Sequence, residues 1–243
     1  TFKKARIIYK GLPDTYTKSD GTDTTYTTTG KNATFDKFYF AQWGDLDVGD
    51  YGDDYAGCDL DLSLGYCYNG NYTDASYDAV GLGTPAVGFD FLYDTGGLGM
   101  TSFVYYAAGT AISDADLGSY SGSLQWYNIF EGMLPRPAYP DQSPNTNPVT
   151  GEESIFWLDG DPLTGSGWID GMQIPPGDRR IVMTTGPYTF ALGDTLDVVV
   201  ATIGGMGTNS LSSITVLKYH DTFAQYAYDE EFNLPSAPTA PSV

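Results

Sequence analysis

The sequence predicts an all-β fold: a β-sandwich or jelly-roll-like domain with one or two short added α-helices. Three observations predict it. Apolar residues alternate with polar ones over short runs, as half-buried strands require. Those runs are separated by turn residues, with 30 glycines and 14 prolines in the chain. Aromatic residues make up 15% of the composition, with 20 tyrosines, which suits strands better than a helical bundle. At 243 residues the chain can bury a substantial core. The reading is one domain over residues 1–234, followed by a Pro/Ser/Ala linker, PSAPTAPSV at 235–243, leading to a further module.

Each element has its own justification. ARIIYKG reads as a first strand, and the threonine-rich stretch Thr15–Thr29 as a turn and then an exposed strand. ATFDKFYFAQW alternates, with Phe35, Phe38 and Phe40 as core candidates. LDLSLGYCYNG places Leu60, Leu62, Leu64 and Tyr66 on one face. PAVGFDFLYDTG and MTSFVYYAAGTA read as two strands of a hairpin turning through Gly96, Gly97 and Gly99. Ser123–Leu134 breaks the period of two and predicts a short helix, with a proline-rich loop after it. PYTFALGDTLDVVVATIGG reads as a strand, a turn at Gly193-Asp194 and a buried strand, Val198–Ile203. Leu211, Ile214, Leu217, Phe223 and Tyr226 recur at helical spacing and predict an amphipathic helix with a serine N-cap.

Net charge is −20, which repels nucleic acid and anionic lipid. No apolar run approaches the length of a membrane span, so membrane insertion is not expected either. Polyvalent cations are the natural partners. Of the 31 acidic residues 26 are aspartate, the short-armed carboxylate that serves turns and hard metal ions. The chain begins at Thr1 and shows no signal peptide, and it reads as a piece of something longer.

The acids concentrate in GDLDVGDYGDDYAGCDLDLSLGYC, Gly44 to Cys67. No lysine, arginine or histidine lies between Lys37 and Arg136, so any basic partner must come from far along the chain. Two carboxylates about 5 Å apart repel by roughly 3 kcal/mol at an effective dielectric near 20. A folded loop that converges several therefore needs a counter-charge. Carboxylates mixed with glycine-rich backbone suit Ca²⁺, which takes six to eight oxygens. The expected ligands are Asp45, Asp47, Asp50, Asp53, Asp54 and Asp59. The spacing is not that of an EF-hand, which wants glycine sixth and glutamate twelfth. The alternative is a solvated acidic loop without an ion.

Cys58 and Cys67 bracket the exit of this stretch. A disulfide between them would pin the loop to the next strand and would place the chain in an oxidising, extracellular setting. Two buried free cysteines are the alternative. Trp43, Trp126, Trp157 and Trp168, with the tyrosines, leave room for carbohydrate binding. Two of Asp159, Asp161 and Asp170 could form a glycosidase-like pair, though buried tryptophans beside turn aspartates look the same in sequence. The adjacent Arg179 and Arg180 suit a local ion pair with Asp178, or service to the acidic surface. His220, the one histidine, has no nucleophile motif around it.

Three passages together carry a resemblance: FAQWGDLDVGDYGDDYAGCDLDLSLGYCYNG, then GDPLTGSGWIDG with PPGDRRIVMTTGPYTFALGDTLDVVVATIGG, then SSITVLKYHDTFAQYAYDEEFNLP. They resemble a recurrent β-rich region of large secreted bacterial proteins, many of which end in a type IX secretion sorting domain. The resemblance implies secretion, an extracellular or cell-surface place, and a non-catalytic module. It supplies no catalytic residue. The resulting expectation is a calcium-stabilised structural or adhesive module of a surface layer or filament. Its partners would be other copies of itself or neighbouring modules of the same protein. A carbohydrate-binding module that meets surface glycans is the alternative, and a glycoside hydrolase is a weaker one.

Overall fold

The computed structural model describes residues 1–18, 24–110 and 112–234. The linker expected at 235–243 lies outside them. In chain order the strands are β1 (Phe2–Ile8), β2 (Thr15–Lys18), β3 (Thr24–Thr27), β4 (Phe35–Asp45), β5 (Asp54–Asp59) and β6 (Leu64–Asn69). They continue with β7 (Ala86–Asp94), β8 (Ser102–Ala107), β9 (Asn145–Thr146), β10 (Glu153–Ser154), β11 (Arg179–Phe190) and β12 (Thr195–Gly205). The helices are α1 (Ala75–Asp78), α2 (Tyr120–Phe130) and α3 (Ser210–Asp229).

An antiparallel sheet in the order β1-β12-β7-β6-β5 forms one layer, and β4-β11-β8 forms the second. The all-β class with a few helices is what the sequence predicts. The buried strands alternate between two cores. In β12, Val198 and Val200 join the core between the sheets, while Val199, Ala201 and Ile203 join the core under α3. Gly65 shows how closely the sheets meet, since a Cβ there would lie 2.6 Å from the Phe103 ring and 2.9 Å from Met183. The layers therefore run α3, large sheet, small sheet, α2. The outer face of the small sheet is only partly covered, because α2 is short.

Several expectations need correction. The stretch between β7 and β8 is not a hairpin. Asp94 accepts hydrogen bonds from the backbone of Gly96 (2.8 Å) and Gly99 (2.9 Å), and the chain crosses to the other sheet. The expected turn at Gly193-Asp194 is present between two strands, and it carries the chain from one sheet to the other, because β11 pairs with β4 and β8 while β12 pairs with β1 and β7. Part of the acidic stretch is itself strand β5, and Leu60–Ser63 form the turn into β6. Helix α3 is capped by Asn209 in place of a serine. The Asn209 side chain accepts from Ser212 N (2.9 Å), and Ser212 Oγ accepts from Asn209 N (3.0 Å).

The disulfide is also corrected, because both cysteines are free and buried. In the β5–β6 register Ala56 faces Cys67 and Cys58 faces Gly65, so the two thiols sit diagonally on one face. Diagonal Cβ atoms lie about 7 Å apart, and a disulfide needs about 4 Å. Cys58 Sγ instead donates to the carbonyl of Trp157 at 3.4 Å.

Candidate metal centre

The register of the small sheet answers part of the charge question. Asp45 ends β4 directly opposite Arg180 of β11, 135 residues away, and Arg180 Nε donates to Asp45 Oδ2 at 3.1 Å. Arg180 also reaches Asp178 Oδ2 (3.1 Å) and Asp114 Oδ2 (3.4 Å). One guanidinium thus serves three carboxylates. Asp47 joins Asp45 and Asp178, and ligand oxygens of these three lie within 4.8 Å of one another. Asp47 has no basic partner among the described residues. Burial, then the charges of Asp45 and Asp178, push its carboxyl upward against the pull of Arg180.

The other expected ligands are dispersed. Asp50 caps the 3-10 turn Tyr51–Asp53, accepting from Gly52 N at 2.9 Å. Its own N–H donates to Asp74 Oδ2 at 2.9 Å. Asp74 sits so close to Gly49, which has φ +78°, that a Cβ there would lie 2.5 Å from its carboxyl carbon. Asp53 accepts from the side-chain amide of Asn71. Asp54 opens β5 fully buried, with Oδ2 accepting from Val48 N at 3.1 Å and Oδ1 without a partner. Asp59 ends β5 and pairs with Lys218 of α3 at 2.7 Å. Of the six residues, Asp45 and Asp47 are therefore brought together, Asp50, Asp53 and Asp54 hold the loop between them and β5, and Asp59 lies apart.

Asp178 is the member of the cluster that the sequence does not reveal. It belongs to PPGDRR, which reads locally as a turn with an ion pair, and nothing in the spacing shows that β11 lays it beside β4. Its Oδ1 is buried without a hydrogen-bond donor. An all-oxygen set with a donorless carboxylate oxygen fits a hard cation such as Ca²⁺. It does not fit Zn²⁺, which favours nitrogen and sulfur.

Trp157, Trp168, Asp170, Asp161 and His220 make contacts within the fold. Trp157 and Trp168 are fully buried and stack with ring centroids 6.4 Å apart. Asp170 forms a buried two-point ion pair with Arg179, at 2.8 Å to Nε and 3.1 Å to Nη2. It also accepts from Ala56 N at 2.8 Å and Gly171 N at 2.7 Å. Asp161 accepts from Leu163 N at 3.0 Å within its own turn. His220 Nδ1 lies 2.8 Å from the carbonyl of Gly204.

Fold and site together define a two-layer β-sandwich module with an acidic cluster at one strand end. No family model matches the chain, and comparison with curated proteins and with solved structures finds no match.

Proposed function

We propose that the chain is a non-catalytic structural or adhesive module of an extracellular bacterial surface protein, stabilised by a divalent cation at Asp45, Asp47 and Asp178. The single observation that carries this reading is the approach of three carboxylates to within 4.8 Å with, among the described residues, only Arg180 to balance them. Calcium is the preferred ion, for its oxygen chemistry and its tolerance of irregular geometry. Two carboxylates come from the end of β4 and the third from the entrance to β11. A bound ion would therefore tie both chain segments together and oppose fraying at that edge. The surface setting rests on the resemblance of the three long sequence passages, and the corrected cysteines no longer contribute to it.

The test is thermal unfolding in chelator and in calcium. At free calcium about a hundredfold above Kd, binding adds about 2.7 kcal/mol, which for a chain of this size is a rise of roughly 5–10 °C in Tm. Asp47→Asn and Asp178→Asn should remove most of that rise while changing Tm little in chelator. A wild-type midpoint that ignores calcium would remove the reading.

A further inference from the structure

We propose that the uncovered outer face of the small sheet carries a binding cleft for a neutral oligosaccharide. The cleft holds about 620 Å³ and is lined by Trp43, Asp114, Ala115, Leu117, Trp126 and Arg180. That volume lies inside the usual range for small-ligand sites, about 300–1,000 Å³. It is the one place where tryptophan is offered to solvent. Trp43 is 43% exposed, and Trp126 is partly exposed, while Trp157 and Trp168 are fully buried.

Trp126 and the loop at Asp116 are held in place before any ligand arrives. Trp43 stands on β4 in register with Val182, on the face that α2 leaves open. Trp126 is wedged against Tyr106 and Phe130, with ring centroids 6.2 and 6.1 Å away. The loop that carries Asp114 and Leu117 is pinned to α2. There Asp116 N donates to Gln125 Oε1 at 2.8 Å, and Arg136 pairs with Asp116 at 2.6 Å. Gly122 admits that loop, since a Cβ would stand 1.8 Å from the Asp116 carbonyl oxygen. Leu117, 83% exposed, forms an apolar lip that nothing in the fold requires.

The polar groups fit hydroxyls. Neither indole Nε1 donates to another protein group among the described residues. Arg180 has five N–H groups, and three hydrogen bonds account for its contacts with Asp45, Asp114 and Asp178. Asp114 Oδ1 accepts no hydrogen bond among the described residues. A vicinal diol can accept from Arg180 with one hydroxyl and donate to Asp114 with the next, while the ring's C–H face lies on an indole. An anionic ligand meets the aspartates paired with Arg180, and the neighbouring donor and acceptor suit hydroxyls, so the polar groups fit a neutral ligand. The inference does not require the cation, although the two sites share Arg180, which is why the titration is run both in chelator and in calcium.

The experiment titrates the intact chain with cello-, xylo-, laminari-, malto- and chitohexaose. It follows tryptophan emission and acrylamide quenching, in chelator and again in calcium. With Trp157 and Trp168 buried, acrylamide quenching selects Trp43 and Trp126. At least one hexasaccharide should give a saturable shift and protection from quenching. Trp43→Ala should weaken it about tenfold or more, and Leu117→Ser or Asp114→Asn should weaken it less, with Tm unchanged in each. Choline chloride and a proline-rich peptide are run in parallel. No saturable response to any hexasaccharide, a response that survives Trp43→Ala, or a response to choline or peptide alone overturns the proposal.

Discussion

Asp54 shows what position does to a single carboxyl. It lies at 0% exposure at the start of β5, and burial raises its pKa to about 8, against the opposing Val48 N–H and helped by Asp53 and Asp47. A folded value above the unfolded 3.8 means that the native state holds a proton the unfolded chain has lost. Stability from this group is therefore complete in acid below 3.8. It falls as pH rises toward 8, and above that the loss is full. Asp90 of β7 and Asp221 of α3 add the same sign, since burial raises both and Asp221 further raises Asp90. Asp54→Asn keeps an acceptor for Val48 and removes one of the three contributions. In chelator its Tm should fall less than the wild type's between pH 5 and pH 9, and parallel Tm curves would refute the assignment. The cysteines give a second test at this scale. Burial raises both thiols well above their ordinary value, so native protein should resist alkylation at pH 8. Two equivalents of label should enter only on unfolding, and reduction should leave the mass unchanged.

At the scale of elements, helix α3 reaches β12 where a glycine allows it. A Cβ on Gly205 would lie 2.2 Å from Leu217 N and 2.6 Å from the Ser213 carbonyl oxygen. One residue earlier, a Cβ on Gly204 would meet nothing closer than the Ala86 carbonyl oxygen at 3.9 Å. Gly205→Ala should cost on the order of 1–3 kcal/mol by overpacking, and Gly204→Ala should be close to neutral. Unfolding midpoints of the two neighbours decide this, and equal values would mean that the helix does not dock as described. The same elements show what the sequence makes legible. Alternation reveals β4, β6 and β12, because each sends apolar side chains into a core, as Phe38 and Phe40 do from β4, Leu64 and Tyr66 from β6 and Val198 and Val200 from β12. It does not reveal β5, where Asp54 and Asp59 bracket Tyr55 and four small residues, Ala56 to Cys58 among them, and the acidic density resembles a loop. The expected hairpin between β7 and β8 failed because glycine marks a turn without saying which sheet the chain joins next. Of the cluster, Asp45 and Asp47 are legible from local density. Asp178 is not, because its placement depends on the β4–β11 register. The two open tryptophans are likewise indistinguishable in sequence from the two buried ones.

For the molecule as a whole, charge is the dominant quantity. At a net −20, copies repel one another in dilute salt, and each native chain also carries internal repulsion that unfolding relieves. Only 11 basic residues are available, and most of the described ones are committed locally, as Arg180 is to three carboxylates and Lys218 to Asp59. Monovalent salt screens this field, with a Debye length of about 8 Å at physiological strength, and should raise Tm modestly without joining molecules. A divalent ion can do more, because a carboxylate cluster at an exposed strand end can share it with a carboxylate on a neighbour. Light scattering after size exclusion separates the two effects when calcium chloride is compared with sodium chloride at equal ionic strength. A building block of a surface layer should remain monomeric in sodium and form larger species in millimolar calcium, reversibly on chelation. Asp47→Asn should shift that association to higher calcium. A chain that stays monomeric under both salts while Tm still rises in calcium would keep the cation as an internal brace and remove the assembly role.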